Sequence, residues 1–576
     1  MTWADHAARI TRTPLTVVEV DLDWIDDAGV TATNPDATLC YRTPATTDQG
    51  TFSIVTKTRK WQTATTRALP ELGAIPCLES ARYAAEEIKI GSGLGSFGQV
   101  TITLSDFVDD DARSEDPFAT DTSRSGRDLS AGTYLSKLLA RNPWWTGRAL
   151  RVIEGWATDG VWHPSDTTVR HFLVRDVQGP SAGTVTITAV GPLQLLNLDN
   201  TEAPSPSEGV LLSDISDSAT AATIHDPVIA GDYPASGLLR CGDEVMSYTR
   251  SGQALTLTRA QLGTKADEHS ADDALQVVLR YTDEPIVDII EDLLTTYGGV
   301  DPALLDLSGW ALEQSLWLPQ YDLSGVVSSP TKVLDLVREL LEASGSVLWW
   351  DDSSGLVRLR AIRPALSTVA TWSERLNLLG SPDQKRDMGQ RVSRCDIAID
   401  LRSADKDPKA VTSYRARVLG VSAGDGDDQH GSEKIKLIAT RWISSSQTSL
   451  AIRASWLVTN QLRDGRQTIS VEVSAKDATA KLGDVVSITD RDIVDRTGQP
   501  VAVRAFVVRR EAVATGSRYR YLLERLALSG SRFIYLCDTG LPAYASASAA
   551  QRDPGWFLAG AGGAAFGPND PPYVLG

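Results

Sequence analysis

Residues 93–156 read GLGSFGQVTITLSDFVDDDARSEDPFATDTSRSGRDLSAGTYLSKLLARNPWWTGRALRVIEGW, and their order decides the fold. A Gly-rich turn leads into an alternating strand whose apolar residues are Val100, Ile102 and Leu104. A long acidic loop follows, then a short apolar helix around Tyr134 to Leu139 that Asn142-Pro143 ends. A second alternating strand carries Leu150 and Val152. The turn holds a literal G-x-G-x-x-G, from Gly93 to Gly98. A dinucleotide site needs a strand before that motif and a helix after it, and here a strand, QVTITLSDF, follows. The glycines therefore read as turn chemistry.

Working outward, PLTVVEVDLDW and SIVTKTRKWQT read as strands on the N-terminal side, and ARYAAEEIKIG as a short helix or a strand, the Gly-rich turn directly after it favouring a strand. VRHFLVRDVQG and GTVTITAV follow on the other side, and GPLQLLNLDN is a short helix. Together these strands predict a small antiparallel barrel or sandwich. TEAPSPSEG is a Pro/Ser linker, after which LLRCG, DEVMSYT and ALTLTR form the hairpins of a compact all-β module. From Tyr281 the period changes to that of helices, with Ile286, Ile289, Ile290, Leu293 and Leu294 on one face. TKVLDLVRELLEASG is a second helix, and SVLWWDDSSGLVRLRAIRP a hairpin turning at Asp351 to Gly355. RCDIAIDLR, YRARVLG, the helix SLAIRASWLVTNQLRDG, the strand pair around Leu482-Gly483-Asp484 and a last hairpin complete the folded part. The final stretch is rich in small residues and reads as an arm ordered on neighbouring subunits.

The chain has 576 residues, too many for one core. Its formal net charge of −18 argues against a surface that coats nucleic acid, because phosphate binding needs a basic footprint. It is compatible with a surface past which DNA slides, and the acidic run Asp106 to Asp116 reads equally as a lining segment or as a solvated outer loop. No apolar run approaches the roughly 18 residues of a membrane span, and the N-terminus is polar. Assembly in a cytoplasm is the expectation.

No set of residues stands out as catalytic, cofactor-binding or metal-binding. The five cysteines, Cys40, Cys77, Cys241, Cys395 and Cys537, are scattered without a C-x-x-C and read as isolated thiols. Asp243, Glu244, His269 and Asp272 show no ligand spacing, so the simpler reading is a turn aspartate and a packed histidine. Trp349, Trp350, Asp351 and Asp352 could line a glycosidase cleft, and a turn after two strand aromatics explains them more simply. GDGDDQHGSE fits no calcium loop. The six histidines, His6, His163, His171, His225, His269 and His430, frame no Ser-His-Asp arrangement.

The run LGxxGxVxxTLxDF, then DPF, then GTYLSKLLARNPWWTGRALRVIEGW resembles the baseplate hub, or tail tip, proteins of long-tailed bacteriophages and phage-like gene transfer agents. DYPxSG, GDEVMSYT and LTRxxLGTxAxxH resemble a module inserted in phage tail proteins. The resemblance implies a mainly β, multidomain chain with α+β parts. Its divisions would be an N-terminal β-rich segment (1–80), a first hub barrel (81–200), the inserted module (201–280), an α+β helix-plus-hairpin domain (281–390), a second hub barrel (391–530) and a C-terminal arm (531–576).

It further implies a non-enzymatic structural protein of the virion tail tip, a homotrimer whose two barrels per chain make a ring of six. The ring would join the tail tube or distal tail protein, the tape measure protein and a central fibre or spike, and let DNA through without specific binding. Relatives often hold an iron–sulfur cluster with N-terminal cysteines. Cys40 and Cys77 match two of those positions, whereas Ile25 and Thr47 occupy the others. A cubane cluster needs about four ligands, so none is expected here. The rival readings are a tail-associated peptidoglycan hydrolase and a receptor-binding fibre, the latter lacking the expected repeats or heptads.

Overall fold

The computed structural model describes residues 13–26, 53–64, 72–91, 93–109, 131–158, 161–162, 167–199, 201–363, 367–421, 432–495, 497–514 and 517–526. The chain is mainly β and multidomain. Seven strands close the first barrel: β1 (Thr13–Asp26), β2 (Ser53–Thr63), β3 (Ile75–Ala84), β4 (Gln99–Ser105), β5 (Ala149–Thr158), β7 (Thr168–Ser181) and β8 (Thr184–Val190). Their order is β1-β2-β3-β4-β8-β7-β5, and β1 pairs back onto β5, with the short β6 (Val161–Trp162) added on β5. Closure leaves these strands no open edge. The division expected after residue 80 falls inside β3, because β1 and β2 are barrel strands rather than a separate segment.

The alternation read from the sequence is the barrel's inside. Val100, Ile102 and Leu104 of β4 are buried with Val18, Val20, Leu22, Leu150, Val152 and Ile187. Helix α1 (Tyr134–Arg141) adds Leu135 and Leu138 to that cluster, so it is packed against the barrel interior. Asp106, just past β4, accepts the Leu135 N–H at 2.9 Å and a bond from the Thr133 hydroxyl, which anchors the helix start. Asp109 is buried, and its carbonyl accepts from Lys137 Nζ at 2.6 Å. Two acids of the acidic run are thus engaged in the fold; Asp110 and Asp111 lie outside the described residues.

Helix α2 (Pro192–Asp199) leads to β9 (Glu202–Ala203), which pairs with β16 (Thr331–Lys332) and ties together the two ends of an excursion. The module inside it contains β10 (Ala221–Thr223), the short α3 (Pro227–Ala230), β11 (Ser236–Cys241), β12 (Glu244–Ser251), β13 (Ala254–Thr258) and β14 (Leu275–Pro285). The sheet order is β10-β13-β12-β11-β14-β15, where β15 (Asp322–Val327) belongs to the next domain. The module has a core of its own, including Leu239, Met246, Tyr248 and Leu257. It is joined to the rest through the long strand β14.

Helix α4 (Ile286–Asp292) continues as a π turn, Leu293–Tyr297; α5 (Leu307–Trp317) and α6 (Val333–Ser344) follow. Gly345 ends α6 in the left-handed region, at φ +67°, where glycine is the favoured residue. The hairpin β17 (Ser346–Asp351) and β18 (Leu356–Ala361) completes the helix-plus-hairpin arrangement. One large core holds Ile289, Ile290, Leu336, Val337 and Leu340 together with Cys395, Ile397, Val418, Trp442 and Ala454. Hence β21 (Arg394–Leu401), β22 (Tyr414–Val421), β23 (Ile435–Ala439) and α7 (Thr448–Leu462) pack with the middle domain, and the boundary expected at 390 cuts through its core.

The expected second barrel is a six-stranded sheet. Its order is β19 (Thr368–Ser373), β25 (Val485–Thr489), β26 (Val503–Ala514), β27 (Arg518–Arg525), β24 (Arg466–Ser474) and β20 (Asp383–Asp387). No pairing between β19 and β20 closes it among the described residues, so one barrel is closed and the other open. One face gathers Trp372, Val471, Ile488, Val507, Tyr519 and Tyr521 around a separate core. The polar sequence of β20, DQKRD, explains the open edge: it offers no apolar residue to hold a closing partner.

Candidate functional site at the barrel–hairpin junction

The motifs singled out in the sequence meet in one place. The Gly-rich turn, the hairpin tip and the first barrel surround Glu86, which lies between β3 and β4. Gly95 is there because the backbone crosses itself: a Cβ at this position would stand 1.5 Å from the Glu87 carbonyl oxygen. Glu87 and Ser96 exchange backbone bonds of 3.0 and 2.9 Å across this crossing. Gly93 has φ +71°, and its added Cβ would meet Leu341 Cβ of α6 at 2.5 Å. The turn is therefore packed against protein on both sides, and β4 follows it directly.

Glu86 Oε1 accepts the Trp350 backbone N–H at 3.0 Å. Burial pushes the Glu86 carboxyl up to about 8, against the pull of the Trp350 and Gly98 N–H groups and with a push from the charges of Asp352 and Asp351. Arg170 of β7 lies 4.3 Å above the Tyr83 ring, 3.7 Å from Asp352 Oδ2. Burial opposes its charge, yet Asp352 and Glu154 more than offset this and raise its pKa. Tyr83 donates to Glu154 Oε1 at 3.2 Å, and burial, then the Glu154 charge, raises its phenol well above the ordinary range. His171 is held below its usual range by burial and by Arg151.

Carboxylates beside a raised glutamate are what a glycosidase would need. The cavity at this junction measures about 50 Å³, room for a few waters and not for a sugar ring. Trp349 is packed against Gly483, and its ring lies 5.8 Å from the Arg360 guanidinium; Asp351 accepts from Ser353 and Ser354 within the hairpin turn. Chemically the arrangement is a latch. It fixes the barrel, the hairpin and, through the Ile88 N–H to Val508 carbonyl bond of 2.8 Å, the six-stranded sheet.

The other candidates separate. Asp243 is exposed beside Arg240, and Asp272 sits in a loop at φ +69°. Glu244 is buried and accepts from Arg259 Nε and Nη2 at 2.8 and 2.6 Å, from the N–H groups of Ala260 and Asp267, and meets His269 Nε2 at 2.9 Å. Burial would raise its carboxyl, but these partners hold it down at about 2. Cys77 lies in the barrel core, where burial and then Asp106 push the thiol up to about 12. Ile25 pairs with Ile54 on β2. Cys40, Thr47, Cys537, His6, His163, His430 and most of GDGDDQHGSE lie outside the described residues. The sequence reading missed Tyr83, Glu86 and Arg170, whose partners are distant in the chain.

No family model and no curated protein matches this chain. Among solved structures, the fold is similar to the tail protein from Neisseria meningitidis MC58, at 10% identity and TM-score 0.35, covering 77% of this chain and 96% of that one. It is similar to the 43 kDa tail protein of prophage MuSo2 from Shewanella oneidensis, at 9% identity and TM-score 0.35, covering 78% and 98%. A chain of the virion of a native gene transfer agent particle is also similar, at 12% identity and TM-score 0.29, covering 63% and 80%.

Proposed function

We propose that this chain is a non-enzymatic structural subunit of a phage-type tail, the hub of the tail tip. In this reading it assembles in the host cytoplasm as a homotrimer. Three closed barrels and three six-stranded sheets alternate in a ring that meets the six-fold tail tube or distal tail protein and the tape measure protein on one side. The other side meets a three-fold fibre or spike, and DNA passes through an acidic lumen to which it does not bind.

The observation that carries subunit association is the outer face of the β22-β21-β23 sheet. Leu419, Ile435 and Leu437 stand there about half exposed (57%, 53% and 49%), on strands whose outer edges pair with no strand among the described residues. Apolar residues grouped on an open-edged sheet mark a contact surface, and a second copy of the chain is the partner a closed ring requires. The sequence resemblance supports the tail assignment: its core motif, residues 93–156, supplies β4, α1 and β5 of the closed barrel.

The test is the mass of the purified assembly by sedimentation or native mass spectrometry. Three times the chain mass is expected, and Leu419→Lys with Leu437→Lys should yield folded monomers. A monomeric wild-type chain, or lysis of cell-wall material by the purified protein, would overturn the reading.

A further inference from the structure

The module places a cysteine, a histidine and an aspartate, far apart in sequence order, around one point. One donor atom each of Cys241, His269 and Asp273 lies within 4.8 Å of the other two. Cys241 is the last residue of β11; Asp273 precedes β14, which pairs with β11 at Cys241↔Leu275. His269 reaches the same end of the sheet, where its Nε2 lies 2.9 Å from Glu244, the residue paired with Cys241 across the hairpin.

The state of the histidine ring points to a ligand. Nε2 is 2.9 Å from Glu244 Oε2, and Glu244 is held as a carboxylate by Arg259 and two backbone N–H groups. A carboxylate accepts, so Nε2 carries the proton and the lone pair of the neutral ring lies on Nδ1. Nδ1 makes no hydrogen bond to a described residue and is not sealed in the interior, so it is open to a ligand. It faces the turn after Cys241: a Cβ on Gly242 would lie 3.9 Å from it. Cys241 Sγ is likewise without a hydrogen bond, and Asp273 spends Oδ2 on the Ser270 N–H at 2.8 Å, leaving Oδ1. A carboxylate that orients the far nitrogen of a ligating histidine is a recurrent support of zinc sites.

We infer that Cys241 Sγ, His269 Nδ1 and an Asp273 carboxylate oxygen form a zinc site, with Glu244 as the positioning residue. Sulfur, imidazole and carboxylate donors together suit Zn²⁺, whose bonds of about 2.0–2.3 Å in a tetrahedron place donors roughly 3.3–3.8 Å apart. The three atoms need to close in by about 1 Å to reach that geometry. Asp273 is the least buried of the three and gives the ion its way in. Water completes the fourth position. On binding, the thiol gives up its proton to solvent, the usual condition of thiolate ligation. The ion would staple the loop 263–274 to the β11–β12 hairpin.

The probe is Co²⁺ and then Zn²⁺ added to chelator-stripped full-length protein. One equivalent of Co²⁺ should produce a thiolate-to-cobalt charge-transfer band with tetrahedral visible bands, displaced by Zn²⁺, and the module should melt at higher temperature with Zn²⁺ present. Cys241→Ala, a small change in a buried position, should abolish the charge-transfer band; Asp273→Asn, nearer the surface, should weaken binding at least tenfold while both variants keep the wild-type circular dichroism. His269→Gln serves as a third variant if it folds. Wild-type protein that retains no zinc after dialysis, or a cobalt band that survives in Cys241→Ala, would overturn the site.

Discussion

The indole N–H of Trp350 donates to the carbonyl of His171 at 2.9 Å, joining the hairpin of the middle domain to a strand of the barrel. The His171 N–H returns a bond to the Asp352 carbonyl at 2.8 Å. The Trp350 ring is buried against Gly191, where an added Cβ would stand 2.9 Å from the indole. Trp350→Ala should therefore cost about 3–5 kcal/mol, the range for truncating a buried tryptophan. Denaturant unfolding followed by barrel and sheet reporters should show the two units separating, with the barrel melting on its own.

Glu86 makes the same junction sensitive to pH. Its carboxyl titrates at about 8 in the folded protein and near 4.5 when exposed. Between those values the folded state keeps a proton that the unfolded chain has released. Its contribution to stability is full below about pH 4.5, falls as pH rises toward about 8 and is flat above. The amplitude is of the order of a few kcal/mol. Urea midpoints at about pH 5, 7 and 9 should fall for the wild type and fall less steeply for Glu86→Gln, which cannot ionise.

Strands with strict alternation were legible from residues alone. Val100, Ile102 and Leu104 announce β4, and Gly345 closes α6 where the apolar stripe ends. Elements without such a signal were not. β20 is wholly polar, and α5 exposes Leu312 and Leu316, so neither shows a stripe. Domain membership was less legible still, because it depends on distant partners. Trp372 and Tyr521 share one core with their rings 4.7 Å apart, although they flank the whole of the β21–β23 sheet and α7 in sequence. Glu86 follows the same rule: its environment is set by Trp350, which no local pattern couples to it.

The Gly-rich turn gives a sharp steric prediction. Gly95→Ala places a Cβ 1.5 Å from a backbone oxygen, and no side-chain rotation relieves a clash with backbone. The turn must shift, and with it the Glu87–Ser96 pair. A loss of more than about 3 kcal/mol, or insoluble protein, is expected. Gly73→Ala is the control: its φ of +59° is strained for alanine, but no atom lies within 4 Å of the added Cβ. That variant should lose only about 1–2 kcal/mol. Thermal melts of the two proteins check the contrast.

The buried Glu244–Arg259 ion pair governs how the module responds to substitution and to acid. Glu244 is 1% exposed, and Arg259 supplies two of its bonds while also donating to the carbonyls of Ser216 and Asp267. Arg259→Ala leaves a buried carboxylate without its cation, a change that typically costs 3–5 kcal/mol. The module keeps a core separate from those of the barrel and the six-stranded sheet. The loss should therefore stay local: hydrogen exchange should speed up across β11, β12 and β13 while β4 and β8 keep their protection. The double change Arg259→Met with Glu244→Gln should be milder than Arg259→Ala alone, since no unpaired charge remains in the interior. Acid acts in the same direction as the single variant. Glu244 is held at about 2 in the folded state against an ordinary value of 4.5, so its contribution is present above about pH 4.5 and is lost as pH falls toward 2. Below that range wild type and double variant should converge in module stability, whereas a persistent gap would mean that packing, not charge, sets the cost.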